Sequence, residues 1–205
     1  MPSVSPRDVA LLFALETELP SLRRGLELAQ MIAEHPLSSQ SRNPVLNFAF
    51  NNCTVAQIEN SILRMTEALD VLDTASGNIL NEPILTERDG GRRPVDDDLY
   101  LLKRLRNKRI AHRVIESRAG DELWHEVQAR FGTIYQLLFT AMDKIEAYLS
   151  KLADAGLFDV DYTLQATDVE VKGFDKSQIA RLVVSANALV DGKHKEKEAI
   201  HAPTD

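Results

Sequence analysis

Apolar residues recur at helical spacing along most of the chain. The clearest stripe has members separated alternately by four and three positions: Ile58, Ile62, Met65, Leu69 and Leu72. Because a helix turns once in about 3.6 residues, this spacing predicts a helix with one buried face. Thr54 and Gln57 have the spacing of a capping box, so this helix is predicted to begin at Thr54.

Another helix is predicted at the start of the chain. Ser5 can cap free amides, Pro6 suits the first helical position, and Asp8 meets the positive end of the helix dipole. The residues of its apolar face are Val9, Leu12, Phe13 and Leu19. These features predict an amphipathic helix.

Three places interrupt the helical pattern. Pro20 is predicted either to kink the first helix or to begin a second one, because proline lacks the N–H that a helix interior uses. Residues 36–52 are rich in Ser, Asn and Pro and are predicted to form a loop, with Phe48 and Phe50 turned inward. Residues 76–95 contain several glycines and prolines and are predicted to be irregular.

Two further helices are predicted in the middle of the chain. The acidic run Asp96–Asp98 is predicted to open a basic helix that runs to about Glu116. A long helix is then predicted from Asp121 to about Ala153, and Gly132 is a position that could interrupt it.

The C-terminal part changes from a helical period to a period of two. Apolar and polar residues alternate over 158–171, which predicts a small β-hairpin. A last helix is predicted from Asp175 to Gly192, followed by a mixed-charge tail.

The predicted fold class is all-α. Residues 1–155 are predicted to form a helical bundle, residues 156–192 a small C-terminal extension of hairpin plus helix, and residues 193–205 a disordered tail. The chain has 205 residues, of which 44% are hydrophobic and 27% charged, which is typical of a folded globule.

Composition and charge exclude several classes of function. A formal net charge of −7 argues against a nucleic-acid binder that uses its whole surface. The N-terminus lacks a signal-peptide pattern and no stretch approaches about 20 apolar residues, so we expect a cytoplasmic protein with no membrane contact. Cys53 is the single cysteine and cannot form an internal disulfide. No phosphate-binding glycine loop is present, and Cys53 does not make a metal site by itself, so the sequence predicts neither a cofactor nor a metal.

One segment concentrates positive charge. Six basic residues fall within eleven positions, and we call them the basic cluster: Lys103, Arg104, Arg106, Lys108, Arg109 and Arg113. A local patch of this kind could contact phosphate although the whole chain is acidic. A helix with many basic residues can equally be a solvated face.

The residues around Arg106 resemble the HEPN superfamily, and within it the abortive-infection type of bacterial HEPN protein. That signature is an arginine, usually followed by a polar residue, and a histidine after four to six intervening positions. Here Arg106 is followed by Asn107, and five residues separate it from His112. The resemblance is sharp over Leu102–Arg113 and concerns architecture alone over about Ser5–Ala153.

The resemblance implies a HEPN-like helical bundle, a homodimer and a metal-independent endoribonuclease of the toxin–antitoxin or phage-defence kind. Histidine titrates near neutral pH, so His112 could act as base or acid. The guanidinium of Arg106 suits phosphoryl oxygens, and Asn107 could bind the phosphate or hold one of the other two side chains. The RNA-contacting candidates are Lys103, Arg109 and Arg113.

Helix geometry adds a condition to this interpretation. Six positions along one helix correspond to about 9 Å of rise and about 120° of rotation, so Arg106 and His112 would not easily meet at one phosphate. Two copies around a two-fold axis would bring both pairs to one cleft. The catalytic hypothesis therefore requires a homodimer.

Two alternatives remain open at this level. His112 could simply be a packed helix residue. The chain could also be a non-catalytic helical interaction module that binds RNA, a nucleotide or a protein partner such as a nucleotidyltransferase-type antitoxin. His125 and Glu126 do not form a zinc-protease motif, because Ala129 stands where the second histidine is required.

Overall fold

The structure is a computed structural model that describes residues 4–35, 41–85, 94–107, 118–158 and 176–200. These residues form six α-helices and a short π-helix (Ser76–Leu80), and none of them lies in a strand, so the predicted all-α class is confirmed for them. The α-helices are α1 (Pro6–Glu34), α2 (Pro44–Ala75), α3 (Asp97–Leu105), α4 (Arg118–Phe131), α5 (Ile134–Asp154) and α6 (Lys176–Ile200). None of the helices in these ranges combines the length and the apolar character that crossing a bilayer requires.

The chain divides into two compact units. Unit 1 comprises Met1–Arg24 and Ile58–Thr167, and unit 2 comprises Gly25–Gln57 and Asp168–Asp205. Helices α1 and α2 therefore each contribute residues to both units. The sequence-based division at residues 155 and 192 stays a prediction.

Unit 1 contains the larger core. Helix α5 contacts α3, α4 and the π-helix. The largest fully buried side chains of this unit are Leu12, Leu19, Met65, Leu69, Leu72, Ile84, Leu99, Leu101, Leu102, Leu137 and Leu138. The stripe predicted in α2 is confirmed from Ile62 onward, because those positions are buried. Phe13 and Phe158 add a tilted ring contact with centroids 6.3 Å apart.

Unit 2 has a small core between three helices. Ile32 of α1 and Ile179 and Val183 of α6 are buried in it. Partly buried side chains pack against these three residues: Leu28, Met31, Leu46, Phe50 and Cys53. The inward position predicted for Phe50 agrees with this packing.

Helix α1 begins as predicted but is longer than expected. Ser5 Oγ accepts a hydrogen bond from the N–H of Asp8 at 3.2 Å, and α1 starts at Pro6. The start of a second helix at Pro20, one of the two outcomes predicted there, is wrong, because α1 continues through Pro20 to Glu34. An interior proline costs about 3 kcal/mol. Burial of leucines on both sides, including Leu19 and Leu22, offsets that cost.

The predicted loop over residues 36–52 is wrong from Pro44 onward, where α2 already begins. Asn43 Oδ1 accepts from the N–H groups of Val45 and Leu46 at 3.0 and 3.2 Å, and proline follows it at the first helical position. The capping box predicted at Thr54 is therefore also wrong, because Thr54 lies inside α2. Phe48 is 68% exposed, which contradicts its predicted inward position.

The predicted interruption at Gly132 is confirmed. Gly132 has a φ of +72°, where glycine is favoured, and it separates α4 from α5. Thr133 then caps α5 by accepting from the N–H of Gln136 at 3.2 Å. The long helix predicted from Asp121 is consequently two helices, the first of which starts at Arg118.

Residues 76–95 are more ordered at their start than predicted. Ser76–Leu80 form the π-helix, and Asn81 ends it with a φ of 57°. Asp73 Oδ1 then accepts from the N–H groups of Ile84 and Leu85 at 2.7 and 2.8 Å. The prediction of irregular structure is wrong for the π-helix and holds for 81–85. Residues 86–93 lie outside the described residues.

The C-terminal predictions have mixed outcomes. The hairpin over 158–171 falls almost entirely on residues 159–175, which lie outside the described residues. The helix end predicted at Gly192 is wrong, because α6 continues to Ile200. A single glycine in a helix costs only about 1 kcal/mol, and the residues that follow are good helix formers.

Candidate functional site

Helix α3 carries the start of the basic cluster, and its own start is fixed by Asp96. The Asp96 carboxylate accepts from the N–H groups of Asp98 and Leu99, both at 3.0 Å. This satisfies two amides that have no partner within the helix. The negative charges of Asp97 and Asp98 in the first turn also stabilise α3 by interacting with the positive end of its dipole. The predicted helix start at the acidic run is therefore confirmed.

Buried leucines fix the orientation of α3. Leu99, Leu101, Leu102 and Leu105 are buried, with at most 2% of each exposed. The α-helix ends at Leu105, while Arg106 keeps a right-handed helical backbone and its N–H still donates to the carbonyls of Leu102 and Lys103. Arg106 therefore directly follows a well-packed α-helix, in a π-helical turn that also includes Asn107. The continuation predicted to about Glu116 falls on residues 108–117, outside the described residues.

Two residues of the basic cluster are paired with carboxylates of the chain. Lys103 Nζ binds Asp70 Oδ1 of α2. Arg104 Nη1 binds Glu126 Oε2 of α4 at 2.9 Å. These pairs reduce the positive potential that Lys103 and Arg104 offer to an incoming phosphate.

Arg106 differs from its two basic neighbours. It is half-buried, and it has no carboxylate partner among the residues that the structure describes. Its Nε is buried and has no hydrogen-bond partner. Asn107, the next residue, is exposed. Among the described residues of the cluster, Arg106 therefore keeps donor capacity that no described carboxylate fills.

A chain of ion pairs joins α3 to α4 and α5. Lys144 Nζ of α5 donates to Asp96 Oδ2 at 2.8 Å and to Asp98 Oδ2 at 2.7 Å. Arg130 of α4 binds Asp98 and also Glu126, the latter at 3.2 Å. Since Glu126 pairs with Arg104, the acidic start and the basic end of α3 are tied to the same neighbouring helix.

The electrostatic balance at Lys144 favours its charged form. Burial alone would lower the pKa of Lys144, but hydrogen bonds and charges from Asp96 and Asp98 outweigh it and raise that pKa above its ordinary value. The pKa of Arg23, also in unit 1, is set by the same two opposing effects. Burial opposes its charge, and Asp143 and Glu146 outweigh the burial, so the pKa of Arg23 is raised.

The other predicted site residues lie outside the part of the chain that the structure describes. His112, Arg109 and Arg113 fall on residues 108–117, outside the described residues, so their roles stay predictions. In the described ranges, no group of three His, Cys, Asp or Glu side chains is placed to hold a metal ion.

Sequence reasoning did not find the carboxylates that pair with the cluster. Asp70 lies 33 positions before Lys103, and Glu126 lies 22 positions after Arg104. Many acidic residues stand at comparable distances along the chain, so spacing alone gives no signal for these partners. Only the acidic run at Asp96 was visible as a local feature.

Comparison with known proteins gives no relative. No protein-family model, no curated protein and no solved structure matches this chain.

Proposed function

We propose that this chain is a metal-independent endoribonuclease of the HEPN kind, of toxin–antitoxin or phage-defence type, that acts as a homodimer. Arg106, Asn107 and His112 are the proposed catalytic residues. The surroundings of Arg106 support its part, and the parts of Asn107 and His112 come from the sequence resemblance.

The observation that carries the proposal is the contrast between Arg106 and its neighbours. Carboxylates of the chain pair with Lys103 and Arg104, whereas no described carboxylate pairs with Arg106. Its buried Nε also has no partner. An unsatisfied buried donor costs about 1–3 kcal/mol, and an anionic oxygen that reached this N–H would recover part of that cost. A phosphate is an anion whose oxygens match the guanidinium fork.

The proposed reaction needs no metal. The 2′-oxygen of one nucleotide forms a bond to the adjacent phosphorus, and the bond from phosphorus to the 5′-oxygen breaks. A base takes the proton from the 2′-hydroxyl, and an acid gives a proton to the departing 5′-oxygen. His112 supplies one of these proton transfers, Arg106 stabilises the charge on the phosphoryl oxygens, and Asn107 orients the phosphate.

The test is RNA cleavage by the purified full chain in excess chelator, with Arg106→Ala and His112→Ala as site variants. Arg104→Ala is the matched control, because it removes the same side chain two positions away, where Glu126 already balances the charge. We expect cleavage by the wild type and by the control, with 2′,3′-cyclic phosphate ends, and a loss of at least about 100-fold in both site variants.

Two outcomes contradict the proposal in different ways. Equal cleavage by all four proteins would show that the activity does not depend on this site. No cleavage by any of them across several RNAs would remove the enzymatic function. Retained RNA binding that only Arg106→Ala weakens would then favour the alternative, a non-catalytic module that uses the same site for binding.

A further inference from the structure

The N-terminal half of α2 carries no charge. The fifteen residues from Asn43 to Gln57 include no Asp, Glu, Lys, Arg or His, although 27% of the whole chain is charged. All of them belong to unit 2. A solvated helix face normally carries charged residues, so a charge-free exposed face needs an explanation.

This half of α2 exposes apolar side chains on the side away from its core. Leu46, Phe50 and Cys53 pack against the small core of unit 2. Val45, Phe48 and Val55 are 74%, 68% and 41% exposed. At 100° per residue, these three positions lie on the face opposite the packed residues. We call the exposed stripe formed by Val45, Phe48, Asn52 and Val55 the neutral stripe.

The spacing of the neutral stripe is that of a helix–helix seam. Val45 and Asn52 are seven positions apart, Phe48 and Val55 are seven positions apart, and the two pairs are offset by three. This is the repeat of the inward positions of a coiled coil. A polar Asn at one such position commonly fixes the register and the number of helices.

We propose that the neutral stripe is the contact through which a second copy of this chain binds. The flanking positions Ala49, Asn51 and Ala56 are exposed, and they are small or neutral. They therefore provide neither the charge pairs that would select a different partner nor like charges that would repel an identical helix.

Other partners fit this surface less well. Two copies with a net charge of −7 each repel one another, and a charge-free face is where that repulsion is smallest. An anionic membrane or an RNA would require Lys or Arg, which the stripe lacks. The amide of Asn52 both donates and accepts, so its counterpart in a second copy can satisfy it.

The size of the stripe sets the expected strength of the contact. The fourteen helical residues Pro44–Gln57 give a face about 21 Å long and about 10 Å wide. This is smaller than the roughly 800 Å² that each partner buries in a standard interface. We therefore expect a dimer that forms reversibly with concentration. Added salt should not weaken it, because no charge pair lies in the contact.

The test measures the mass of the full chain by sedimentation velocity and light scattering over a concentration series. We expect a monomer–dimer equilibrium for the wild type and a shift to monomer, by at least tenfold in the dissociation constant, in Val45→Glu and Phe48→Glu. Val184→Glu on α6 is the matched control, because Val184 is 62% exposed and lies outside the stripe. Far-UV circular dichroism verifies that each variant is folded.

A second measurement is independent of variant stability. A nitroxide label at Asn51→Cys, which is exposed beside the stripe, in a Cys53→Ala background, should show dipolar coupling between copies. The inference is overturned by a wild type that stays monomeric at every concentration, by a dimer that Phe48→Glu does not weaken, or by labels without coupling. The inference rests on the homodimer of the proposed function, and the two can fail separately: a dimer that Phe48→Glu does not weaken overturns the neutral stripe alone, and cleavage that survives His112→Ala overturns the catalytic site alone.

Discussion

Substitutions at Asp96 can separate two contributions that its carboxylate makes to stability, the helix cap and an ion pair. This side chain caps α3 by accepting from the N–H groups of Asp98 and Leu99, and it also binds Lys144 Nζ at 2.8 Å. Asn caps a helix about as well as Asp but carries no charge. Asp96→Asn therefore removes the ion pair and keeps the cap, whereas Asp96→Ala removes both.

The magnitudes follow from exposure and geometry. Lys144 is partly exposed and keeps Asp98 at 2.7 Å, so loss of its charge contact with Asp96 should cost about 0.5–1 kcal/mol. Loss of the cap adds about 1 kcal/mol. We expect Asp96→Asn to lower the free energy of unfolding by about 0.5–1 kcal/mol and Asp96→Ala to lower it by about 2 kcal/mol. For a chain of this size, 1 kcal/mol corresponds to about 2–4 °C in Tm.

The pH dependence distinguishes the two contributions further. The pKa of Lys144 is raised in the folded protein, so its stabilising contribution is fully present below the ordinary value of 10.5 and is lost as pH rises through the folded pKa. The difference between wild type and Asp96→Asn should therefore shrink above about pH 10.5. The difference between Asn and Ala should persist, because the cap does not depend on Lys144.

The assay is urea unfolding followed by fluorescence of Trp124, the single tryptophan, which lies in α4 of unit 1. This probe reports on unit 1, which also contains Asp96 and Lys144. Equal destabilisation by Asn and Ala would refute the contribution of the cap. A difference between wild type and Asn that does not shrink at any pH above 10.5 would refute the ion pair with Lys144 as its cause.

Three further outcomes are expected. Asp70→Asn releases Lys103, so fluorescence anisotropy should show tighter RNA binding than in the wild type, and a plot of log affinity against log salt concentration should steepen by about one phosphate contact. Unchanged binding would contradict the neutralisation of Lys103 by Asp70. Gly132→Ala should lower the free energy of unfolding in urea by about 1–2 kcal/mol, because φ is +72°. No atom lies within 4 Å of the added Cβ, so this cost comes from the backbone and not from a clash. A neutral effect would contradict backbone strain. Leu138→Ala should cost about 2–5 kcal/mol in the same assay, because Leu138 is fully buried, and a loss below that range would contradict tight packing.

Much of the helical framework could be predicted from local sequence. The start of α1 at Pro6, the buried stripe of α2 and the break at Gly132 depend on residues within about one turn of each other, which a sequence displays directly. The start of α2 at Pro44 was also encoded locally, since Asn43 and Pro44 occupy the capping and first positions. A composition typical of loops concealed that signal.

The candidate site was predictable only in part. The sequence identified Arg106 and Asn107 as residues of interest, but it also grouped Lys103 with them as a phosphate contact. In the structure Lys103 pairs with Asp70, so its charge is partly balanced within the protein. Periodicity did not predict this difference, because Lys103 and Arg106 are three positions apart on the same helix.

Local sequence was enough to predict the all-α class of the described residues, the acidic start of α3 and the concentration of basic residues after it. These features come from hydrogen bonds, dipoles and apolar faces within single helices, where contacting residues are close along the chain. Packing between helices sets which described basic residues pair with carboxylates and which face of α2 is exposed. Those properties depend on residues far apart along the chain, as in the pairing of Lys144 with Asp96 across 48 positions, and only packing brings such residues together.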